Sequence, residues 1–152
     1  MFKFFKTVID VAMATYRLKR IGGLLQSVGS YMDVPVYVSD DYILTQGGVY
    51  TGGLYFVSPS VGIVISLDVY ESSYREALCA HELGHIVNKH YESNRGDRCI
   101  LQEIEADFYS ASKVGVMPMI GALEFLLESN DCNKEVTEEI NLRINKLQSY
   151  RV

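Results

Sequence analysis

Apolar residues recur at two different spacings along the chain, and the change of spacing divides it into three parts. Within residues 1–22, the apolar positions follow the period of an amphipathic helix: Phe5, Val8, Ile9, Ala12 and Tyr16. After Gly22-Gly23, short β-rich runs alternate with turn residues, which predicts a small sheet over about residues 34–67. Its three predicted strands cover residues 34–39, 48–56 and 62–67.

From residue 73 to about residue 150, the helical period continues without interruption. Ser73, followed three residues later by Glu76, predicts a capping box that opens a helix over about residues 74–91. Three further helices are predicted: one from an N-cap at Asp97 to Gly115, one with Pro118 in its first turn ending near Ser129, and one carrying Val136, Ile140, Ile144 and Leu147 on one face. The pattern therefore predicts one α+β domain over residues 1–152, with a small three-stranded sheet followed by a helical bundle.

The composition narrows the functional class. With 152 residues, of which 48% are hydrophobic and 22% charged, the chain can bury a core, which excludes a disordered chain or a coiled coil. A net charge of -5 argues against a nucleic-acid partner, because phosphate contacts require clustered Lys and Arg. The three cysteines match neither a disulfide framework nor a CxxC metal site, so we expect a reducing, cytoplasmic setting.

The N-terminal apolar stretch is interrupted by Lys6, Asp10 and Arg17. It therefore lacks the continuous apolar core of a signal peptide and the length of a membrane span. Packing against the core is the expected role of this helix, and weak association with a membrane surface or a partner is the alternative.

The chemistry is concentrated in the sequence His81-Glu82-Leu83-Gly84-His85, an HExxH motif within the first predicted long helix. Residues four apart on a helix share a face, so both imidazoles can bind one zinc ion while Glu82 lies beside them for proton transfer. A catalytic zinc site needs a third protein ligand and keeps one position for water.

The next predicted helix supplies carboxylates for that third position. Glu103 lies eighteen residues after His85, and Asp107 follows Glu103 by four residues, so the two share a helix face. One carboxylate can bind the metal while the other accepts a hydrogen bond from the far ring nitrogen of a ligating histidine.

These segments resemble small gluzincin metallopeptidases. The resemblance is to two branches, the HtpX and CAAX-protease branch with its minigluzincin relatives and the ImmA/IrrE-type peptidases, and it spans residues 51–147, about two thirds of the chain. It implies that Glu103, the first Glu of an ExxAD motif, is the zinc ligand rather than Glu105. It also implies a role for Arg143, which is similar to an arginine in a late helix of the HtpX branch.

The chain departs from these families in two respects that limit what the resemblance implies. It lacks the transmembrane helices of the integral-membrane members, so only the soluble catalytic core is implied. It has Asp107 where ImmA-type proteins often have Asn, and it lacks their larger C-terminal region. The match is therefore better to the HtpX and minigluzincin side.

Other residues have weaker assignments. His90 follows His85 by five positions, so it lies off the ligand face. We expect it to be exposed to solvent or to contact a metal ligand, rather than to bind the metal itself. Cys79 is expected to be a small buried apolar residue, and Glu105 is expected to be exposed. Tyr74, Tyr109 and Arg143 are candidates for stabilising an oxyanion, although pairing with a carboxylate is the expected role of Arg143.

Two functions from different classes follow. The first is a zinc-dependent endopeptidase with one Zn²⁺ per chain, in which Glu82 is the general base and a protein or peptide substrate adds to an exposed strand in residues 51–56 or 63–67. The second is a latent or non-catalytic zinc-bound module that acts by protein binding, with its cleft closed by the N-terminal helix or by residues 148–152.

Overall fold

A computed structural model describes residues 25–39, 43–45, 48–50, 53–57, 60–92, 99–129 and 132–150. The predicted N-terminal helix over residues 1–22 lies outside the described residues. The strands are β1 (Leu25–Tyr31), β2 (Val34–Ser39), β3 (Ile43–Thr45), β4 (Gly48–Tyr50), β5 (Gly53–Phe56) and β6 (Gly62–Ser66). The α-helices are α1 (Leu67–Glu71), α2 (Arg75–Val87), α3 (Ile100–Val114), α4 (Val116–Ser129) and α5 (Lys134–Gln148), with a short 3-10 helix at His90–Glu92.

The predicted α+β class is confirmed, with a small mixed sheet followed by helices. The strand order in the main sheet is β1-β2-β6-β5, in which β2 and β6 are parallel and the outer pairs are antiparallel. The predicted strand over residues 48–56 is instead two strands. Its first part, β4, forms a hairpin with β3, and its second part, β5, pairs with β6.

The strand β1 was not predicted, and its composition explains why. Leu25–Tyr31 contains few β-formers, and its apolar residues do not alternate with polar ones, so it lacks the sequence pattern of a strand. Several of its residues are exposed. It pairs with β2 through a two-residue turn in which Met32 and Asp33 have φ angles of 47° and 69°. Positive φ at both central positions gives the tight turn that matches the twist of paired strands.

The central strand β6 carries the apolar face on which the helices pack. Val36 pairs with Ile63 and Val38 with Ile65, so these four side chains lie on one face of the sheet and belong to the main core cluster. Every residue of β6 is buried, as expected for a strand with a neighbour on each side. The helix α2 packs against both β5 and β6, which places its HExxH motif beside these two strands.

The predicted capping box at Ser73 and Glu76 is wrong. The N-cap of α2 is Tyr74, which makes no side-chain capping bond, because the short helix α1 occupies the preceding residues. The hydroxyl of Ser72 instead donates to the Val69 carbonyl and accepts from the Tyr74 amide. One serine thus ends α1 and leads the chain directly into α2.

Two helix ends also differ from the prediction. The helix α2 ends at Val87 rather than near residue 91, because Lys89 adopts a left-handed φ of 55° that breaks the helix. The helix α3 has Cys99 as its N-cap residue, and the predicted cap, Asp97, lies outside the described residues. Gly115 ends α3 as predicted, with a φ of 102° that favours glycine.

The remaining predicted helices agree with the structure. Pro118 lies in the first turn of α4, which ends at Ser129, and Asn133 caps α5 by accepting from the Val136 amide. Within the described ranges, no helix combines the length and the apolar content that crossing a membrane requires.

The two helices that carry the predicted ligands pack closely at Gly84. A Cβ atom at Gly84 would lie 3.0 Å from both the Ala106 Cα and the Tyr109 Cβ of α3. The buried Ser110 hydroxyl also donates to the Ala77 carbonyl at 2.8 Å, which links the same two helices. The absence of a side chain at Gly84 therefore allows the backbones of α2 and α3 to approach each other.

We expect Gly84→Val to lower the free energy of unfolding by roughly 1–3 kcal/mol, the usual cost of overpacking a core. The added methyl groups would meet the α3 backbone, which cannot move aside as a flexible side chain can. Denaturant unfolding measures the change. Glu76→Val places the same residue at an exposed position in the first turn of α2 and should cost less than Gly84→Val, because it loses only a first-turn charge and some helix propensity. Equal stability of wild type and Gly84→Val would contradict this account of the helix packing.

Candidate metal centre

The structure brings His81, His85 and Glu103 together as a group that could hold a metal ion. One ligand atom from each residue lies within 4.8 Å of the others. His85 Nε2 is 3.2 Å from His81 Nε2 and 3.0 Å from Glu103 Oε2, and His81 Nε2 is 3.5 Å from Glu103 Oε1. Both histidines are buried in α2, and Glu103 reaches them from the first turn of α3. The site thus depends on the packing of two helices.

Asp107 lies behind His81. The His81 Nδ1 atom is 2.9 Å from Asp107 Oδ1, so an ionised Asp107 accepts the Nδ1 proton and orients the Nε2 atom toward the ligand group. Burial would lower the pKa of His81, but its hydrogen bonds to Asp107 and Glu103 raise that pKa to about 10. Asp107 therefore fixes the orientation of His81, and Nε2 is the nitrogen that would lose its proton to a metal.

Arg143 of α5 in turn holds Asp107. Its Nε and Nη2 atoms donate to the two Asp107 oxygens, each at 2.8 Å, in a bidentate pair that is almost completely buried. Burial by itself would raise the pKa of Asp107, but the hydrogen bonds from Arg143 and His81 outweigh it and hold that pKa below its usual value. Arg143 thus keeps Asp107 ionised inside the protein.

Arg143 also lies near the third candidate ligand. Its Nη1 atom is 3.6 Å from Glu103 Oε1. Burial would raise the pKa of Glu103, but the charge of His85, hydrogen bonds from both histidines and the charge of Arg143 hold it well below its usual value. Glu103 is therefore ionised, which is the form that binds a metal.

Glu82 lies between the helix α2 and the strand β5. It is buried, and a Cβ atom at Gly53 would lie 3.4 Å from Glu82 Oε1, so the carboxylate borders the strand backbone. Burial raises the pKa of Glu82, although the nearby charges of His81, His85 and Arg143 oppose this effect. A carboxylate with a raised pKa next to a metal site can both accept and return a proton.

The two strands considered for peptide binding are not equivalent. The strand β6 lies between β2 and β5 and is therefore paired on both sides, which rules out residues 63–67. In the part of the chain that the structure describes, β5 is the last strand in the order of the main sheet and pairs only with β6. Of the two candidates, residues 51–56 therefore contain the strand that is an edge among the described residues, and β5 forms its Gly53–Phe56 part.

Three further residues lie near the ligands, and of these only His90 was predicted, as one of two alternatives, to contact a ligand. His90 Nδ1 is 2.7 Å from His85 Nδ1, and His90 Nε2 is 3.1 Å from Glu105 Oε2. The ring of Tyr55 in β5 stacks on His85 with a centroid distance of 5.3 Å. Burial, followed by the charges of Glu82 and Glu103, raises the pKa of Tyr55. The spacing of His90 gave a partial signal, but nothing in the sequence distinguished Tyr55 from the other tyrosines.

The remaining candidates take part in packing. Tyr109 contacts α2 at Gly84, and Tyr74 packs against Gly121 and the ring of Phe125. Cys79 is buried, as expected, and burial raises the pKa of its thiol to about 12, so it stays protonated. The prediction of an exposed Glu105 agrees with the structure, although Glu105 contacts His90.

No family model, no curated protein and no solved structure matches this chain.

Proposed function

We propose that this protein is a zinc-dependent endopeptidase of the gluzincin type, in which His81, His85 and Glu103 hold the metal and Glu82 is the general base. The observation that carries the proposal is the convergence of two imidazole Nε2 atoms and one carboxylate beside a buried glutamate. A purely structural site would have no use for Glu82.

The donor set supports zinc as the metal. Two neutral histidines and one carboxylate form a set of three protein ligands that is typical of catalytic zinc sites. Glu103 is ionised, and Asp107 orients the Nε2 atom of His81 toward the group, so a metal would only have to displace the Nε2 proton of His81. Zinc bound there would supply a Lewis acid that polarises a carbonyl group and increases the acidity of a water molecule.

Glu82 would handle the proton. Its carboxylate accepts a proton from the attacking water and then donates that proton to the nitrogen of the leaving amine. Burial favours the neutral form of Glu82 and raises its pKa, although the charges of the neighbouring histidines oppose this effect. A raised pKa suits a carboxylate that must accept a proton and then return it in each turnover.

The strand β5 would bind the substrate. An extended peptide can add to an edge strand through main-chain hydrogen bonds, and β5 borders Glu82 at Gly53. A peptide at this edge would run past the general base. We therefore propose unfolded or extended protein segments as the substrate class.

Zinc content and cleavage, measured on the same preparation, test the proposal. We expect one zinc per chain by elemental analysis and hydrolysis of a disordered protein such as β-casein, with activity lost on chelation and restored by zinc. Hydrolysis that continues unchanged after complete zinc removal would contradict the mechanism. A protein that binds no zinc would contradict the ligand assignment as well.

We expect Glu103→Gln to weaken zinc binding by more than the roughly 10- to 100-fold that loss of an outer hydrogen-bond partner costs. The reason is that the amide removes the anionic ligand, whose oxygens lie 3.0 Å and 3.5 Å from the histidine Nε2 atoms. Competition with a chromophoric chelator measures the affinity. Glu105→Gln is the matched control, because Glu105 is exposed and its amide oxygen can still accept from His90. Equal zinc loss in both variants would overturn the choice of Glu103.

The alternative function, a latent module closed by its own chain, has less support. The described C-terminal end packs Tyr150 on Phe108 of α3, with ring centroids 4.9 Å apart, and Phe108 is not a residue of the metal centre. The N-terminal helix of this hypothesis lies outside the described residues. Proteolytic activity that appears only after removal of residues 1–22 or 148–152 would favour the latent module over the constitutive enzyme.

We further propose a reducing compartment such as the cytoplasm. Cys79, Cys99 and Cys132 all lie in the described ranges, and none of them forms a disulfide, which supports this location.

A further inference from the structure

A chain of hydrogen-bonded side chains leads away from the metal centre on the side of His85. His85 Nδ1 lies 2.7 Å from His90 Nδ1, and His90 Nε2 lies 3.1 Å from Glu105 Oε2. The opposite histidine, His81, has Asp107 in the equivalent position. The mechanism proposed above assigns no role to His90 or to Glu105.

The directions of these hydrogen bonds follow from metal binding by His85. A neutral histidine that binds through Nε2 carries its proton on Nδ1, so His85 donates to His90 Nδ1. His90 then accepts at Nδ1 and carries its own proton on Nε2. From Nε2 it donates to Glu105, which as a carboxylate only accepts. A single set of tautomers therefore satisfies all three side chains together with the metal.

We propose that His90 is a positioning residue, which accepts the Nδ1 proton of His85 and so holds the His85 Nε2 lone pair toward the metal. This inference rests on the proposed function, because it takes His85 as a ligand. In proteins, a ligating histidine almost always donates its other ring proton to an acceptor that fixes its orientation. A neutral histidine is an unusual choice for that acceptor, and Glu105 explains it by fixing the tautomer of His90.

The backbone supports this role for His90. In a continuous helix, a residue five positions after His85 would point about 140° away from it. The helix α2 ends at Val87, however, and the left-handed Lys89, with a φ of 55°, turns the chain so that His90 in the 3-10 helix returns to His85. The His90 side chain is only 6% exposed. The Tyr55 ring covers one face of His85, so His85 is restrained at its face and at its edge.

Two substitutions at residue 90 distinguish the effect of losing the hydrogen-bond acceptor from the effect of changing the size of the side chain. The Oδ1 atom of an asparagine occupies nearly the position of the histidine Nδ1, so His90→Asn keeps the acceptor, whereas His90→Ala removes it. The probe is zinc alone, titrated into the full-length protein against a chromophoric chelator. We expect about a 10-fold weaker zinc affinity for His90→Ala. The affinity of His90→Asn should match that of wild type.

Two further measurements distinguish positioning from a general structural role. Long-range ¹⁵N NMR spectra of the zinc-loaded wild type should show the proton of His85 on Nδ1 and that of His90 on Nε2. Thermal unfolding in excess chelator should show that wild type and both variants remain folded at the temperature of the titration, so that a difference in zinc affinity does not come from loss of the fold. A proton on His90 Nδ1 would overturn the inference.

The titration also separates this inference from the proposed function. Unchanged zinc affinity in His90→Ala would overturn the role of His90 and leave the enzyme proposal standing. Equally weak binding by His90→Ala and His90→Asn would overturn it too, because the acceptor would not be the cause. A wild type that binds zinc tightly but cleaves no substrate would contradict only the endopeptidase, and the titration would still decide the role of His90. A wild type that binds no zinc would overturn both.

Discussion

Glu82→Gln is expected to reduce turnover by roughly 10²- to 10⁴-fold, the usual contribution of a positioned general base, while zinc stays bound. Glutamine has nearly the same size as glutamate and fits the same buried space between α2 and Gly53 of β5. It cannot accept a proton at neutral pH. Because Glu82 is not one of the three clustered ligand residues, the affinity for zinc should not change.

The measurement compares initial rates on a substrate that the wild type cleaves, with the zinc content of each protein determined in parallel. Glu76→Gln makes the same chemical change at an exposed position of α2 and should retain wild-type turnover. A Glu82→Gln variant that retains zinc and cleaves at the wild-type rate would show that the proposed mechanism is wrong. Loss of zinc from this variant would instead place Glu82 among the ligands.

Arg143→Met is expected to lower the free energy of unfolding by roughly 3–5 kcal/mol, the cost of leaving one partner of a buried ion pair unpaired. The Arg143 and Asp107 side chains are 2% and 1% exposed, and two hydrogen bonds of 2.8 Å join them. Without Arg143, the Asp107 carboxylate would remain buried next to His81 with much of its stabilisation lost. Denaturant unfolding in excess chelator measures this cost without a contribution from metal binding.

A second substitution checks the cause of the destabilisation. Asp107→Asn removes the buried charge, so the Arg143→Met/Asp107→Asn double variant should lose less stability than the sum of the two single variants. Lys134→Met is the surface control, because the Lys134 and Glu138 side chains are 91% and 68% exposed and such pairs contribute little. Strictly additive effects of Arg143→Met and Asp107→Asn would contradict the proposed pairing.

The parts of this site that the sequence predicted are local. The spacing of His81 and His85 places both on one face of any α-helix that contains them, whatever surrounds it. The same holds for Glu103 and Asp107, and the helical period of residues 73–150 predicted the helices that carry both pairs. Helix boundaries were predicted less well, because α1 displaced the expected capping box and Lys89 ended α2 early.

The sheet was harder to predict, because strand pairing depends on partners that are distant in sequence. Leu25–Tyr31 forms a strand although it lacks apolar alternation, since β2 supplies its hydrogen-bonding partners. Whether residues 51–56 or residues 63–67 offer an edge could not be decided from the pattern of either segment. The order β1-β2-β6-β5 decides it, because β6 has a strand on each side, whereas β5 has one on only one side within the described ranges.

The sequence by itself therefore determined the α+β class and the pairs of residues that share a helix face, because both follow from spacing along a regular backbone. Only the tertiary structure decided which side chains meet across elements. Arg143 reaches Asp107 from α5, Tyr55 reaches His85 from β5, and His90 returns to His85 after the chain reverses at Lys89. These contacts depend on the packing of α2 against α3 and the sheet, in which Gly84 allows the two helices to approach. The spacing of residues along one helix or strand does not determine how closely that element packs against another.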